Sequence, residues 1–113
     1  MRTALLGAVA LLALTAAAPS AGSGAVVHIR DDAFVPASIT VKAGDKVTFV
    51  NDDDDAHTAT ADDASWDSEG LNQRQKWMHA FAKAGKIAYH CTVHPMMHGT
   101  IVVTAASRPS SAT

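Results

Sequence analysis

Six residues that could bind a metal or attack a substrate lie within the ten-residue stretch HCTVHPMMHG, residues 90–99. The stretch contains the only cysteine of the chain, three histidines and two adjacent methionines. A cysteine beside a histidine could act as a catalytic thiol, although such a thiol also needs a substrate cleft. An isolated cysteine is more often a buried and inert side chain. The spacing of the neighbouring residues therefore has to distinguish a nucleophile, a packed thiol and a metal ligand.

Cys91, His94 and Met97 follow one another at intervals of three residues, and Pro95 stiffens the chain between them. A loop between two strands can direct these three side chains toward one centre. A fourth donor must come from elsewhere, and His57 is the best candidate because it opens the strand-like stretch HTAT after a turn-rich segment. Two imidazoles, a thiolate and a thioether form the ligand set of a blue-copper electron-transfer site. Zinc would more usually bind further Cys or His residues and would have little use for the methionine.

The mixed donor set predicts a redox function. Thiolate and thioether sulfur favour Cu(I), whereas imidazole binds both oxidation states, so the site can exchange an electron with little rearrangement. We therefore predict an electron carrier that transforms no substrate and is not an enzyme. A copper-binding or copper-delivery protein without a shuttle role is the alternative. A thiol enzyme is the third class, and it predicts that activity survives the loss of His57 and Met97.

The remaining histidines are expected to lie outside this site. His90 precedes Cys91 on a strand and must point to the opposite face. His98 is expected to be exposed, either as a solvated bystander or as a group that titrates near the metal. His79 is interpreted as a partly buried packing residue, and no partner is assigned to His28.

Short β-type runs separated by turn signals make up the rest of the chain. Each run has four to seven residues, is rich in Val, Ile, Thr or aromatic residues, and is bounded by Gly or Asp. The runs are AVVHIR (25–30), the two halves of SITVKAGDKVTFVN (38–51), the two halves of WMHAFAKAGKIAYHC (77–91) and GTIVVT (99–104). No capped amphipathic helix is evident, so the pattern predicts an all-β sandwich or barrel. The expected core consists of Phe34, Val47, Phe49, Phe81, Ile87, Tyr89, Ile101 and Val103.

The first 21 residues have the layout of a secretory signal peptide, with Arg2, an apolar run from Ala4 to Ala18 and small residues around Pro19. The apolar run is shorter than the roughly 20 residues that a spanning helix needs. We therefore expect cleavage, a periplasmic or secreted product and no membrane span. One small domain is expected over residues 22–104, followed by a flexible tail over 105–113. A single cysteine cannot form an internal disulfide, so a bound metal would be another way to stabilise so small a domain.

The acidic residues are concentrated in one segment. Of the eleven Asp and Glu residues, eight lie within residues 52–69, which contain no Lys or Arg. The segment is either a solvated loop or a surface that steers the protein toward a basic face on a redox partner. Its spacing lacks the pattern of a calcium-binding loop. The net charge of −2 and the absence of a basic patch exclude a nucleic-acid binder.

Residues 25–104 resemble the cupredoxins, which are blue copper proteins. The resemblance is carried by FVPASITVKAGDKVTFVNDD with a following histidine, by WDSEGL and by FAKAGKIAYHCTVHPMMHGTIVV. Within the plastocyanin and pseudoazurin group of this family, the tight Cys-x-x-His-x-x-Met loop is similar to that of the amicyanin-like members. The resemblance implies a Greek-key β-sandwich of about seven to eight strands and one type 1 copper ion cycling between Cu(I) and Cu(II). We expect the chain to be a monomer.

The resemblance also implies roles for individual residues. His57, Cys91 and His94 would be the strong copper ligands and Met97 the long axial ligand, while Met96 would belong to the surface patch around His94. The implied partners are redox proteins, with a dehydrogenase or reductase as donor and a cytochrome or oxidase as acceptor.

One position departs from the family pattern. Cupredoxins commonly have Asn after the upstream histidine, where it ties the two ligand loops together, whereas this chain has Thr58. The hydroxyl group of Thr58 could still hydrogen-bond toward Thr92, with a different influence on the metal.

Overall fold

The computed structural model describes residues 24–106 as two facing β-sheets with four strands each, which confirms the predicted all-β sandwich. The strands are β1 (Ala25–Arg30), β2 (Ala33–Val35), β3 (Ser38–Lys42), β4 (Lys46–Asn51), β5 (Thr60–Ala61), β6 (Lys76–Ala80), β7 (Gly85–His90) and β8 (His98–Thr104). The predicted signal peptide and most of the predicted tail lie outside the described residues. Within residues 24–106, no helix is long and apolar enough to cross a membrane.

The sheets have the strand orders β2-β1-β4-β6 and β3-β8-β7-β5. The chain crosses from one sheet to the other between β2 and β3 and at each following connection up to β7. Two pairs of neighbouring strands are parallel, β1 with β4 and β3 with β8. The other pairs are antiparallel, and β7 and β8 flank the short loop that contains the cysteine. This topology brings the loop after β4 against the loop after β7 at one end of the sandwich.

The core lies between the two sheets. Of the eight predicted core residues, seven are buried, and Ile87 is partly buried against them. His79 packs among aromatic rings as predicted, with its ring centroid 5.5 Å from that of Trp66 and 5.2 Å from that of Trp77. Burial lowers the pKa of His79, which favours its neutral form.

Two short strands differ from the sequence prediction. Strand β2 was not predicted, because three residues are too few to show an alternating pattern. Strand β5 begins at Thr60 rather than at His57, which instead forms an isolated bridge with Leu71. The intervening backbone N–H groups are taken by side chains: that of Thr58 donates to Cys91 Sγ and that of Ala59 to Ser68 Oγ.

Candidate metal centre

The thiol of Cys91 is fully buried at the point where β7 ends. Its Sγ accepts hydrogen bonds from two backbone N–H groups, that of Thr58 at 3.3 Å and that of His94 at 3.4 Å. One donor belongs to the loop after β4 and the other to the loop after β7. N–H groups directed at sulfur stabilise negative charge on it, so this environment suits a thiolate ligand.

The imidazole of His57 is also fully buried, and its Nδ1 lies 3.7 Å from Cys91 Sγ. Two backbone hydrogen bonds between His57 and Leu71, at 3.1 and 2.8 Å, fix the position of the residue. On the other side of the ring, Nε2 lies 2.9 Å from Oδ2 of Asp53. A carboxylate at this distance accepts the Nε2 proton, which leaves the lone pair of Nδ1 directed toward the cysteine.

The imidazole of His94 faces that of His57, with ring centroids 4.7 Å apart. Its Nδ1 is buried and has no hydrogen-bond partner among the described residues. One ligand atom from each of His57, Cys91 and His94 lies within 4.8 Å of the other two. Because buried polar atoms nearly always have a partner, the unpaired Nδ1 indicates a place for a metal ion between these three side chains.

The loop between β7 and β8 folds back on itself so that its two methionines have opposite environments. The N–H of Cys91 donates to the carbonyl oxygen of Met97 at 3.2 Å, and the N–H of Met97 donates to that of His94 at 2.8 Å. Met97 is consequently buried, whereas the side chain of Met96 is 82% exposed. Of the two methionines in this loop, Met97 is therefore the one whose thioether lies in the interior.

A threonine pair links the two loops that supply these side chains. The N–H of Thr92 donates to Oγ1 of Thr58 at 2.9 Å, and the two hydroxyl groups lie 3.3 Å apart. This is the contact that the sequence suggested for Thr58 in place of the usual asparagine. The hydroxyl group of Thr58 also lies 2.9 Å from Oγ1 of Thr60, so the threonine pair is connected to β5 by a hydrogen bond.

Asp53 contacts the cluster at His57, and the sequence did not indicate this residue as part of the site. Its Oδ1 accepts a hydrogen bond from the N–H of Asp31 at 2.8 Å, and its Oδ2 accepts one from that of Asp32 at 3.1 Å in addition to that from His57. Asp31 and Asp32 both have left-handed φ angles, of 54° and 56°. Burial acts to raise the pKa of Asp53, but the hydrogen bonds from Asp32, Asp31 and His57 outweigh it and hold the pKa below its ordinary value. Its spacing of four residues from His57 was the only sequence signal, and three other aspartates shared the run.

Two further histidines form hydrogen bonds with aspartates away from the cluster. Nδ1 of His28 lies 2.8 Å from Oδ2 of Asp52, which also accepts a hydrogen bond from Arg30 at 3.1 Å. The hydrogen bond from Arg30, followed by that from His28, lowers the pKa of Asp52. Nδ1 of His90 lies 2.6 Å from Oδ1 of Asp62. His28 thus has a partner that the sequence did not indicate.

The donors in the cluster fit copper better than zinc. The set consists of the fully buried imidazole and thiol of His57 and Cys91 and the partly buried imidazole of His94, with the thioether of Met97 buried in the same loop as Cys91 and His94. Soft sulfur combined with imidazole favours copper, whereas structural zinc sites more often use four Cys or His ligands. Two other groups of possible metal ligands share a histidine with this cluster: Asp32 and Asp55 lie beside His94, and Asp32 and Asp53 lie beside His57. Their aspartates are exposed or partly buried, unlike the fully buried Cys91.

The sequence matches the cupredoxin-like domain family over residues 3–103. It is 31% identical to amicyanin from Paracoccus denitrificans over 114 aligned positions, covering 88% of this chain and 87% of that protein. It is 29% identical to amicyanin from Paracoccus versutus, covering 78% and 70% of the two chains. A solved structure of an amicyanin variant in the Cu(I) form superposes with a TM-score of 0.67 at 30% identity, covering 74% of this chain and 84% of the other.

Proposed function

The chain belongs to the cupredoxin family and is amicyanin-like, and on this premise we propose that it is an exported blue copper protein that carries single electrons between redox proteins. Two observations carry the proposal: one ligand atom from each of His57, Cys91 and His94 lies within 4.8 Å of the other two, and the buried Nδ1 of His94 has no hydrogen-bond partner within residues 24–106. Amicyanin structures with Cu(I) among the solved neighbours support the choice of metal.

In this proposal His57, Cys91 and His94 would hold the copper ion strongly, and Met97 would be its weak fourth ligand. The bound ion supplies the Cu(I)/Cu(II) couple. The protein contributes a rigid donor set: two N–H groups hold the thiolate, Asp53 fixes the tautomer of His57, and backbone bonds close the loop around Met97. Rigid donors limit rearrangement when the charge of the site changes, which is the requirement for fast electron transfer.

Electrons enter and leave through the imidazole of His94. His57 and Cys91 are fully buried and Met97 is nearly so, whereas His94 is only partly buried. The ring of His94 is therefore the ligand that a partner protein can approach most closely. Because Cys91 is buried, a substrate cannot reach its sulfur, which supports a carrier rather than a thiol enzyme.

Export is a separate part of the proposal. Residues 1–21 direct the chain across a membrane and are then removed, and the single cysteine is used for the metal rather than for a disulfide. Fractionation of expressing cells and the intact mass of the purified protein test this part. A full-length chain recovered from the cytoplasmic fraction would contradict it.

Addition of Cu(II) to the metal-free protein tests the metal site. We expect an intense blue thiolate-to-copper absorption and a narrow copper hyperfine splitting in the paramagnetic resonance spectrum. Met97→Leu should shift this spectrum, whereas the matched variant Met96→Leu, altered at an exposed neighbour, should leave it unchanged. A colourless protein that binds zinc equally well would overturn the proposal.

Voltammetry distinguishes the carrier from a copper-delivery protein. A carrier gives a reversible one-electron wave and retains its copper in the presence of an acceptor apoprotein. Rapid transfer of copper to the acceptor, without reversible voltammetry, would instead indicate delivery.

A further inference from the structure

The surface around the imidazole of His94 combines apolar and acidic side chains. Val93 and Met96 in the same loop are among the exposed large apolar residues, at 52% and 82% exposure. Carboxylate oxygens of Asp32 and Asp55 lie within 4.8 Å of a ring nitrogen of His94. Acids from two separate loops thus border the imidazole through which the proposed electron transfer passes. The residues that we call the docking face are Asp32, Asp54, Asp55, Val93 and Met96.

The structure separates the acids of residues 52–69 into two groups. Five have hydrogen-bonded or ion-paired carboxylates, and they are Asp52, Asp53, Asp62, Asp63 and Asp67. In contrast, the exposed carboxylates of Asp54, Asp55 and Glu69 form no hydrogen bond or ion pair within residues 24–106. Of these three acids, Asp54 and Asp55 lie in the loop after β4 that also contains His57. Their charge is not neutralised by a neighbour and acts on whatever approaches His94. The turn between β1 and β2 contributes a further acid, Asp32, which lies outside the acidic segment of the sequence and whose Oδ1 is 3.5 Å from Nε2 of His57.

We propose that the docking face binds a redox protein whose contact surface carries Lys and Arg residues around an apolar centre; this inference rests on the proposed function. Exposed apolar side chains at the centre of a contact exclude water, and acids beside them favour a cationic rim on the partner. Asp54 and Asp55, rather than the paired Asp52 and Asp53, carry the electrostatic recognition. The partner's redox centre is thereby held next to His94.

Stopped-flow oxidation of the reduced copper protein by two oxidants of opposite charge tests this assignment. The probes are ferric cytochrome c, a basic protein, and hexacyanoferrate(III), an anion; each Fe(III) accepts one electron and becomes Fe(II). The double variant Asp54→Asn/Asp55→Asn should lower the second-order rate constant with cytochrome c about threefold to tenfold at low ionic strength. The same variant should raise the rate constant with hexacyanoferrate(III). Both differences should shrink at about 0.15 M salt, where the Debye length is about 8 Å.

The opposite signs separate docking from other effects of the variant. A changed potential or a disturbed site would move the two rates in the same direction. The matched variant Asp62→Asn/Asp63→Asn removes the same charge at paired carboxylates and should change each rate by less than about twofold. Met96→Gln should lower the rate with cytochrome c at low and high salt alike, because an apolar contact is not screened.

The outcomes distinguish failure of the docking face from failure of the proposed function. Equal effects of the two double variants, or shifts of the same sign with both oxidants, would overturn the docking face while electron transfer itself stands. If neither oxidant reoxidises the protein, the proposed function fails. In that case a nuclear magnetic resonance titration with zinc-substituted cytochrome c decides the inference. Shifts at Val93 and Met96 that disappear in Asp54→Asn/Asp55→Asn would support it, and their absence in the unaltered protein would overturn it.

Discussion

Replacing Asp53 by Asn tests how one carboxylate acts on His57. Both oxygens of Asp53 accept hydrogen bonds, Oδ1 from Asp31 and Oδ2 from Asp32 and His57. An Asn side chain has only one oxygen, so its NH₂ group must face at least one of these N–H donors. Loss of a hydrogen bond to a charged group costs about 1.5–3 kcal/mol, and we expect a decrease of that size in the free energy of unfolding.

The same variant should raise the reduction potential of the copper form. The 2.9 Å hydrogen bond, the width of the imidazole ring and a metal–nitrogen bond of about 2 Å put the lost charge roughly 7 Å from the metal. At an effective dielectric constant of about 20–40, the interaction with the extra positive charge of Cu(II) is roughly 1–2 kcal/mol. Its loss favours Cu(I) and corresponds to about 50–100 mV for a one-electron couple.

Voltammetry and denaturant unfolding of Asp53→Asn measure the two effects, with Asp54→Asn as the control. Asp54 carries the same charge one position away, is exposed, and makes no side-chain hydrogen bond or ion pair within residues 24–106. The pKa of Asp53 is lowered by folding, so its contribution to stability is present above the ordinary value of 3.8 and is lost as the pH falls through the lower folded value. If both variants shift potential and stability equally, a specific role for Asp53 is refuted.

Three further substitutions follow from the packing. Gly99→Ala should lower the free energy of unfolding by about 1–3 kcal/mol, because the Cβ of the new alanine would collide with the buried ring of Tyr89. An unchanged midpoint of denaturant unfolding would contradict this close approach. Tyr89→Phe should be neutral or stabilising by up to about 1 kcal/mol, since the buried hydroxyl group has no partner among the described residues and its loss leaves no donor unpaired; a clear loss of stability would reveal a partner. Burial lowers the pKa of His79, so the unfolded chain binds the proton more tightly, and the free energy of unfolding should decrease as the pH falls below its ordinary value of 6.5. His79→Phe should flatten this pH dependence in the metal-free protein, and an unchanged slope would assign it to another group.

The features that the sequence predicted are local ones. Cys91, His94 and Met97 share a short loop whose flanking strands show clear β patterns, so their proximity followed from spacing. The contact between Thr58 and Thr92 followed once the two loops were expected to meet. The longer strands and most of the core followed from the alternation of buried residues.

The features that the sequence did not predict depend on contacts between distant segments. Asp53 is held by the turn between β1 and β2, and nothing near Asp53 in the chain indicates that this turn lies beside it. Its three neighbouring aspartates have the same chemistry, so residue type alone could not single it out. The order of strands in each sheet, with its two parallel pairs, likewise depends on where the chain crosses between sheets.

The two tryptophans of the chain lie next to each other, so tryptophan fluorescence reports on one region of the fold. Trp66 and Trp77 have ring centroids 6.0 Å apart, and Trp66 also packs against Phe49 of β4 and Tyr89 of β7, one in each sheet. Tryptophan emission during denaturation therefore records the separation of the two sheets, whereas the colour of a copper-loaded sample would record the opening of the two loops at one end. Coincidence of the two transitions would show that the sandwich unfolds as one cooperative unit, and an earlier loss of colour would show that the loops open first.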